Sequence, residues 1–169
     1  AQYPVSALQS ATEGNTVMKF TVTAEGHVRD VSVVTSSGNA DLDAAAVTCA
    51  STWLYKPGLK DGAPVDMPWM AQVKWQIGIV EPYSSLIGAA KSCLWSDPVG
   101  LSELKKAPFR PVVRVHFSGG AIPEIVSAGS TGDADLDTRT IACYRGLPPD
   151  LSADVPDGER LLVIMKPGE

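Results

Sequence analysis

The sequence has 169 residues, with 14 Lys and Arg against 19 Asp and Glu, and a formal net charge of −5. No run of basic residues exceeds a pair such as Lys105-Lys106, so the charge that nucleic acid or an anionic membrane surface attracts is missing. No stretch reaches the roughly 18 apolar residues that a membrane-spanning helix needs. We therefore expect one or two small folded domains that neither bind nucleic acid nor cross a membrane.

A repeated segment indicates two similar units. GNADLD at 38–43 returns as GDADLD at 132–137, an offset of 94 residues, and the same offset pairs Cys49 with Cys143. A fixed offset of this kind is typical of a duplicated fold. We predict tandem units at residues 1–80 and 94–169, with a linker at 81–93 and with the second unit the more divergent.

Two β-hairpins are predicted from alternation. VMKFTV (17–22) alternates apolar and polar residues, and HVRDVSVV (27–34) follows it after a glycine turn, which is the pattern of a hairpin. VVRVHF (112–117) and AIPEIVSA (121–128) repeat the pattern. Because Pro123 cannot donate a hydrogen bond within a sheet, it indicates an edge or bulged strand.

A helix is predicted after each hairpin. In the first unit the apolar residues fall on one face of a helix. This helix is predicted to end near Trp53. The acidic residues of the repeated segment resemble the start of a calcium loop, but the glycine and the distal glutamate of such a loop are missing. We interpret Asn39 and Asp133 as helix N-caps, with the following carboxylates favoured by the helix dipole.

A further strand is predicted after each helix, within residues 65–80 of the first unit and 160–166 of the second. In the first of these, polar and apolar residues alternate from Met70 onward. The predicted fold class is α+β. Each unit is expected to form a β-hairpin, a helix and a further strand, as a small antiparallel sheet with the helix packed on one face.

Three cysteines permit three disulfide pairings. Cys93 lies five residues before Pro98, where the leading segment of the second unit could pass its helix, so Cys93 with Cys143 is the favoured candidate. Burial of Cys49 and Cys143 as small apolar residues stays open. A disulfide suits an oxidising compartment.

No catalytic or metal-binding pattern emerges from the sequence. His27 and His116 are isolated in the sequence. The sequence contains neither the Cys/His spacing of a zinc site nor a recognisable pair of nucleophile and base. We predict that the protein is not an enzyme and has no metal or cofactor. Trp53 and Tyr55 are interpreted as core or corner residues, whereas one of Trp69 and Trp75 is expected to be exposed on the last strand.

Several short motifs of the first unit occur together in one known family. They are Tyr3-Pro4, Glu13-Gly14, Phe20 with Val22, Gly26 with Val28, Ser36-Ser37-Gly38, Leu42-Asp43, Ala45-Ala46 and Trp53-x-Tyr55-x-Pro57. In these residues the first unit resembles the C-terminal domain of TonB, the periplasmic energy transducer of Gram-negative bacteria. The second unit keeps only the hairpin glycine, Gly132 and Leu136-Asp137, and is similar to the family through the first unit alone.

The resemblance implies a periplasmic domain that binds an extended peptide, the TonB box of an outer-membrane transporter, in energy-coupled transport. Binding would add the peptide as a strand beside the last strand of the domain. Pro68, which lacks an N–H group, is expected to mark where pairing starts. The predicted partner-binding residues are Tyr3, Pro4, Ala7, Gln9, Met70, Gln72, Val73, Lys74, Trp75, Gln76 and Ile77.

One alternative function stays open. The chain could be a structural or scaffolding module of a periplasmic or cell-envelope assembly without energy transduction, its sheet edges covered by the other unit or by homodimerisation. An inner-membrane anchor and contacts with inner-membrane motor partners would involve segments outside this sequence. The second unit would either support the first or supply a second peptide edge.

Overall fold

The computed structural model describes residues 1–78 and 83–167, with only the backbone of Pro123. The chain divides into two compact units, Ala1–Ala7 with Thr12–Ile77, and Leu8–Ala11 with the residues from Gly78 onward. Small antiparallel sheets and several helices make up the α+β fold that the sequence predicts. In the described part of the chain, no helix has the length and apolar character needed to span a bilayer.

The first sheet has three strands in the order β2-β1-β5 and is antiparallel throughout. The elements of this part of the chain are α1 (Val5–Gln9), β1 (Gly14–Val22), β2 (Val28–Thr35), α2 (Ala40–Ala50), the small hairpin of β3 (Gly58–Lys60) and β4 (Ala63–Val65), and β5 (Met67–Trp75). The hairpin β3–β4 lies where the sequence predicts only turns. Each of its strands has three residues, too few to show an alternating pattern.

Helix α2 covers one face of this sheet. The apolar side chains of β1 lie on that face and are buried, and its other side chains lie on the opposite face. Met18 is fully buried and Phe20 and Val22 nearly so, while the residues between them are more exposed. Met18 packs with Leu42 of α2 and with Trp75 of β5 in one apolar cluster. Burying a side chain of this size contributes about 1.5–3 kcal/mol, so the cluster fixes the helix on the sheet.

Both predicted N-caps are confirmed. The Asn39 side-chain oxygen accepts from two backbone N–H groups of the first turn of α2, at 2.9 and 3.1 Å. The Asp133 carboxylate does the same for the equivalent helix of the second unit, at 3.0 and 3.1 Å. Helix α2 ends at Ala50, before the predicted end near Trp53. The backbone forms a turn there, in which Trp53 N donates to Ala50 O at 3.1 Å.

The second sheet has the order β7-β6-β8 and is also antiparallel. The elements of this unit are α3 (Ser84–Ser96), α4 (Pro98–Lys106), β6 (Val112–Ser118), β7 (Ala121–Gly129), α5 (Ala134–Arg145), a 3-10 helix (Pro149–Ser152) and β8 (Gly158–Val163). Strand β7 lies at an edge and has register irregularities against β6, as predicted from Pro123. In each sheet the strand after the helix pairs with the first strand of the hairpin.

The predicted linker at 81–93 is helical from Ser84 onward, and Glu81 and Pro82 lie outside the described residues. Helix α3 buries Leu86, Ile87 and Ala90 in the core of the second unit. The repeat argument misses this helix because the offset of 94 places its counterpart before Ala1, which leaves nothing to compare.

The predicted disulfide is confirmed. Cys93 on α3 and Cys143 on α5 are bonded, with Cα atoms 5.7 Å apart. The bond joins two helices of one unit across 50 residues of chain. Cys49 is half-buried and has no disulfide partner among the described residues.

Candidate functional site

Strand β5 lies at one edge of the first sheet. Its pairs with β1 run without a bulge from Gly14 opposite Trp75 to Val22 opposite Met67. Among the described residues no other strand pairs with β5. Its second side therefore presents unpaired backbone groups, which is the arrangement that accepts an added strand.

The outward-facing backbone groups follow from the register. Thr23 N donates to His27 O at 2.8 Å, which places the odd-numbered residues at the end of β1 toward β2 and the even-numbered ones toward β5. In an antiparallel pair each residue turns its N–H and C=O to the same side. The groups of Met70, Gln72 and Lys74 therefore point away from β1, where they are available to another chain.

Pro68 belongs to the same outward-facing set, so its missing N–H removes no bond between β5 and β1. Pairing with β1 continues past Pro68, opposite Thr21, to Met67. Pairing between β5 and β1 therefore does not start at Pro68, and the start of peptide pairing at Pro68 stays a prediction. On the open edge Pro68 offers a carbonyl oxygen alone, and the first outward N–H belongs to Met70.

From Met70 to Trp75 the side chains of β5 alternate in burial, as predicted, whereas the residues from Met67 to Met70 are all exposed. Trp75 is only 3% exposed, and its Nε1 donates to Thr16 Oγ1 at 3.0 Å inside the first unit. Trp69 and Met70 are 51% and 58% exposed. Trp69 is thus the exposed tryptophan, and the side chain of Trp75 belongs to the core and is closed to a partner.

An apolar recess lies beside the start of the edge strand. It has a volume of about 700 Å³. Pro68, Trp69 and Met70 form its apolar side, and Lys19 and Asp30 stand on its lining with opposite charges. Because exposed apolar surface next to a free sheet edge is costly in water, this recess is suited to cover by an apolar side chain of an added strand.

A hydrogen-bonded chain holds the last residue of β5 to α2. Thr16, fully buried, accepts from Trp75 and donates through Oγ1 to Asp43 Oδ1 at 2.7 Å. The same carboxylate accepts from Ser36 Oγ at 2.5 Å and from Ser37 N at 2.9 Å. Burial acts to raise the pKa of Asp43, but the bonds from Ser36, Ser37 and Thr16 outweigh it and lower the pKa to about 2. The carboxylate stays ionised and keeps all three donors.

The predicted N-terminal site residues have mainly structural positions. Tyr3 packs edge-on against Trp75, with ring centroids 5.3 Å apart, and its hydroxyl donates to Thr12 O at 2.5 Å. Pro4 is half-buried and directly precedes α1, and Ala7 is fully buried in the core. Gln9 is grouped with the second unit. Of these four residues, Tyr3 contacts the ring of Trp75, and Ala7 belongs to the same core cluster as Trp75.

The predicted edge extends too far at its end. Strand β5 ends at Trp75, so Gln76 and Ile77 lie beyond it. There the chain leaves the ladder, and Ile77 N donates to the side chain of Glu13 at 2.7 Å. In the sequence, polar and apolar residues go on alternating through Gln76 and Ile77. The pattern therefore predicts that the strand includes both residues. Val73 is in the strand, with its side chain packed toward the core.

Sequence reasoning missed the residues that fix the start of β5. Asp66, just before the strand, accepts from Ala24 N at 2.9 Å and from Arg29 Nη2 at 2.6 Å. The bond from Ala24 and the ion pair with Arg29 lower the pKa of Asp66. Asp30 takes a positive φ of 56° beside an irregularity of β2. No local sequence pattern predicts these features. The bonds to Asp66 come from residues 42 and 37 positions away, and the conformation of Asp30 depends on a bulge.

Comparison with known proteins bears on the first unit. Residues 1–77 match the family model described as Gram-negative bacterial TonB protein C-terminal. Two curated relatives named Protein TonB, from Xanthomonas campestris pv. campestris strains B100 and ATCC 33913, are each 36% identical to this chain over 61 residues.

The matches cover 36% of this chain and 27% of each relative, so the chain spans about a quarter of the length of the curated relatives it matches. These findings support the TonB C-terminal family for the part of the chain that contains β5. The second unit as a divergent tandem copy stays a prediction.

Proposed function

We propose that the first unit is a periplasmic protein-binding domain that recognises an extended peptide, the TonB box of an outer-membrane transporter, in energy-coupled transport. The peptide adds as a strand along β5. The observation that carries this proposal is the unpaired edge of β5, which lies within the residues that match the TonB C-terminal family.

The chemistry of binding is that of a backbone ladder. Met70, Gln72 and Lys74 each supply an outward N–H and C=O, and Pro68 adds a carbonyl. Each net hydrogen bond of this kind contributes about 0.5–1.5 kcal/mol, so a short ladder gives weak to moderate affinity. The three residues with free donors define a docked segment of about five to seven residues, since facing residues bond in alternation.

Selectivity comes from the recess beside the edge. One apolar side chain of the peptide can cover Met70 and the next can cover Trp69 on the opposite face of the sheet, and both residues are more than half exposed. Lys19 and Asp30 on the same lining favour a peptide whose neighbouring residues carry complementary charges. The fold presents this surface without rearrangement, because Trp75 and Asp66 fix both ends of β5.

The disulfide supports the proposed compartment. A bond between Cys93 and Cys143 persists where the environment is oxidising, as in the periplasm, and is rare in the reducing cytosol.

Peptide titration followed by amide chemical shifts tests the proposal. A TonB-box peptide should shift the amides of residues 70–74 and those of the recess. The matched controls are two peptides of the same sequence, each N-methylated at one of two adjacent residues. Methylation of an amide that faces β5 should abolish binding, while methylation of its neighbour should leave binding nearly unchanged, because only alternate amides enter the ladder.

Other outcomes separate the alternatives. Shifts confined to 158–163 would move the site to β8 of the second unit. Equal effects of the two methylated peptides would contradict strand addition. No binding by any peptide, together with a stable homodimer that protects residues 70–74, would favour the scaffolding function instead.

A further inference from the structure

The second sheet also has an open edge strand, β8. Its pairs with β6 run without irregularity as far as Gly158, opposite Phe117. In the described part of the second unit, β8 pairs with β6 alone. The other edge strand, β7, has register irregularities and contains Pro123, two features that discourage strand addition. Strand β8 has neither feature, so its edge is able to accept an added strand.

Alternate residues of β8 turn their backbone groups toward the open side. Just beyond the paired strands, Ile164 N donates to Pro111 O at 3.1 Å. Because each residue of an antiparallel pair turns its N–H and C=O to the same side, the even-numbered residues of β8 bond to β6. Glu159, Leu161 and Val163 therefore direct their N–H and C=O groups away from β6.

A cation lies at one end of this open edge. Arg160 is half-buried, and its Nη1 donates at 2.8 Å to Glu159 O, one of the outward carbonyl oxygens. Its Nε donates to the Tyr83 hydroxyl at 2.8 Å, which holds the guanidinium group in place. Among the residues that the structure describes, no acidic side chain forms an ion pair with Arg160. An added strand that bonds to Leu161 and Val163 therefore reaches an unpaired cation where the ladder ends.

The charge of Arg160 determines which end of a peptide fits at this place. All strand pairs of the second sheet are antiparallel. A strand added in the same sense runs from Val163 toward Arg160, so its C-terminus arrives at the guanidinium group. A parallel strand would bring an N-terminal ammonium group there, and the two cations would repel each other. A free C-terminal carboxylate instead forms charge-assisted hydrogen bonds with arginine.

The first unit lacks both groups that such a carboxylate would meet. Strands β5 and β8 begin at equivalent places, since the first residue of each pairs near the end of the preceding hairpin's first strand. The second and third residues of β5 are Pro68, which has no N–H, and Trp69, which has no charge. In β8 the same positions hold Glu159, with an outward N–H, and Arg160. A carboxylate site at the edge is thus a feature of the second unit alone.

The side chains along the edge favour apolar residues in the peptide. Leu161 and Val163 are half-buried and share one face of the sheet, because alternate residues of a strand point to the same side. Residues of an added strand that lie opposite them place their side chains beside them on that face. The expected ligand is therefore a C-terminal segment with apolar residues one and three positions before its last residue.

A second copy of the chain fits this edge less well. Two facing residues of an antiparallel pair turn their backbone groups inward or outward together. In a pair of β8 strands the residue opposite Arg160 is therefore Gly158, Arg160, Leu162 or Ile164. None of these residues is acidic, so no register of two copies pairs the cation. The edge thus favours a separate peptide.

We propose that the edge of β8 binds the C-terminal segment of a partner protein as an antiparallel strand. The segment bonds to Leu161 and Val163, and its terminal carboxylate accepts from the Arg160 guanidinium group and from Glu159 N. This site does not rest on the proposed function of β5. Binding to β8 shifts the amides of 158–163 and binding to β5 shifts those of 70–74, so the two proposals fail separately.

Titration of the full chain with the peptide acetyl-STVTVS, followed by amide shifts, tests the site. The same peptide with a C-terminal amide is the matched control, and acetyl-STVTVSGG carries its carboxylate two residues further on. We expect the free acid to shift the amides of 158–163 with a dissociation constant of about 1 mM. Both control peptides should bind about tenfold more weakly, since neither places a carboxylate beside Arg160.

Three variants separate the cation from the ladder. Arg160→Gln should weaken the free acid about tenfold and leave the amide nearly unchanged, because the charged contact alone is lost. Leu161→Pro removes one outward N–H without removing a bond to β6, so it should abolish binding of both peptides in a folded chain. Leu161→Ala is its matched control and should keep the preference for the free acid.

The proposal is overturned by any of four results. The first is the absence of shifts at 158–163 with about 10 mM of the free acid, well above the expected dissociation constant. The second is equal affinity for the acid and the amide, a comparison that needs the parent chain alone. The third is an unchanged preference for the acid in folded Arg160→Gln. The fourth is a set of shifts at 158–163 that follows protein concentration without peptide, which would assign the edge to a second copy.

Discussion

Thr16 and Asp43 are joined by a hydrogen bond of 2.7 Å that ties β1 to the first turn of α2. Because Thr16 also accepts from Trp75 Nε1, the edge strand is connected through one buried hydroxyl to a carboxylate on the helix. The geometry of the open edge thus depends on a polar chain inside the unit. Polar contacts of this kind fix one arrangement of a core more strictly than apolar packing does.

Removing the carboxylate should make the first unit less stable in a way that depends on pH. The folded pKa of Asp43, about 2, is below its ordinary value of 3.8. A lowered folded pKa gives stability that is present above pH 4 and lost as pH falls toward 2. Because the carboxylate is partly open to solvent, Asp43→Asn should cost about 1 kcal/mol at pH 7 and little at pH 2, as measured by urea unfolding.

Thr16→Val serves as the graded control for this measurement. It keeps the carboxylate and its bonds from Ser36 and Ser37 but removes one donor. The pH dependence should shrink without disappearing. If Asp43→Asn cost the same at pH 2 as at pH 7, the ionised carboxylate would not be the source of the stability.

Much of this fold could be predicted from local patterns. Alternation identified β1 and β2, helical spacing identified α2, and the cap residues Asn39 and Asp133 were recognisable because a cap is satisfied by its own neighbours. The pair Cys93 and Cys143 followed from the repeat offset together with the position of Pro98. Each of these inferences needs only short-range chemistry or one internal comparison.

The parts that could not be predicted depend on distant contacts. Helix α3 is rich in small residues and has no counterpart at the repeat offset, so the sequence predicts a linker there. The end of β5 at Trp75 is set by the bond from Ile77 N to Glu13, 64 residues away. In the sequence Thr16 is an ordinary strand residue. Its hydrogen bonds with Trp75 and Asp43 form only when β1, β5 and α2 are packed together.

The two tryptophans of β5 should respond differently to substitution. Trp75→Phe loses the bond to Thr16 and leaves a small void, so we expect a loss of about 2–3 kcal/mol in the free energy of unfolding. Trp69→Ala should change stability by less than about 0.5 kcal/mol, since half of its side chain is in water.

Peptide affinity should show the opposite order. Trp69→Ala should weaken binding of a TonB-box peptide about tenfold, since it removes apolar cover from the recess. Folded Trp75→Phe should bind almost normally, because its ring is inside the unit. Calorimetric titration of both variants checks this, and equal affinities for Trp69→Ala and the parent protein would remove the recess from the binding surface.

Reduction of the disulfide should destabilise the second unit. The bond closes 50 residues of chain between α3 and α5, and the chain-entropy relation gives about 4 kcal/mol for a loop of this length. The double variant Cys93→Ala with Cys143→Ala should lose hydrogen-exchange protection in α3 and α5. Cys49→Ala is the matched control and should change protection in neither helix. Equal loss in α2 would show that the effect is not confined to the unit that holds the bond.

Two glycines with nearly the same positive φ angle allow the cost of backbone strain to be measured apart from the cost of a steric clash. Gly26 and Gly38 have φ angles of 87° and 88°. A Cβ at Gly26 would lie 2.3 Å from Tyr55 O, whereas one at Gly38 would meet nothing within 4 Å. Gly38→Ala should therefore cost about 1–2 kcal/mol, the ordinary penalty of this conformation.

Gly26→Ala carries the same penalty and must also push Tyr55 away. That movement breaks the bond of 2.9 Å from Tyr55 N to Gly26 O and disturbs the packing of Tyr55 on Phe20. We expect an additional loss of about 1–3 kcal/mol relative to Gly38→Ala, measured by urea unfolding of both variants. Equal losses would mean that the turn moves freely and that the contact between Gly26 and Tyr55 does not position the aromatic corner.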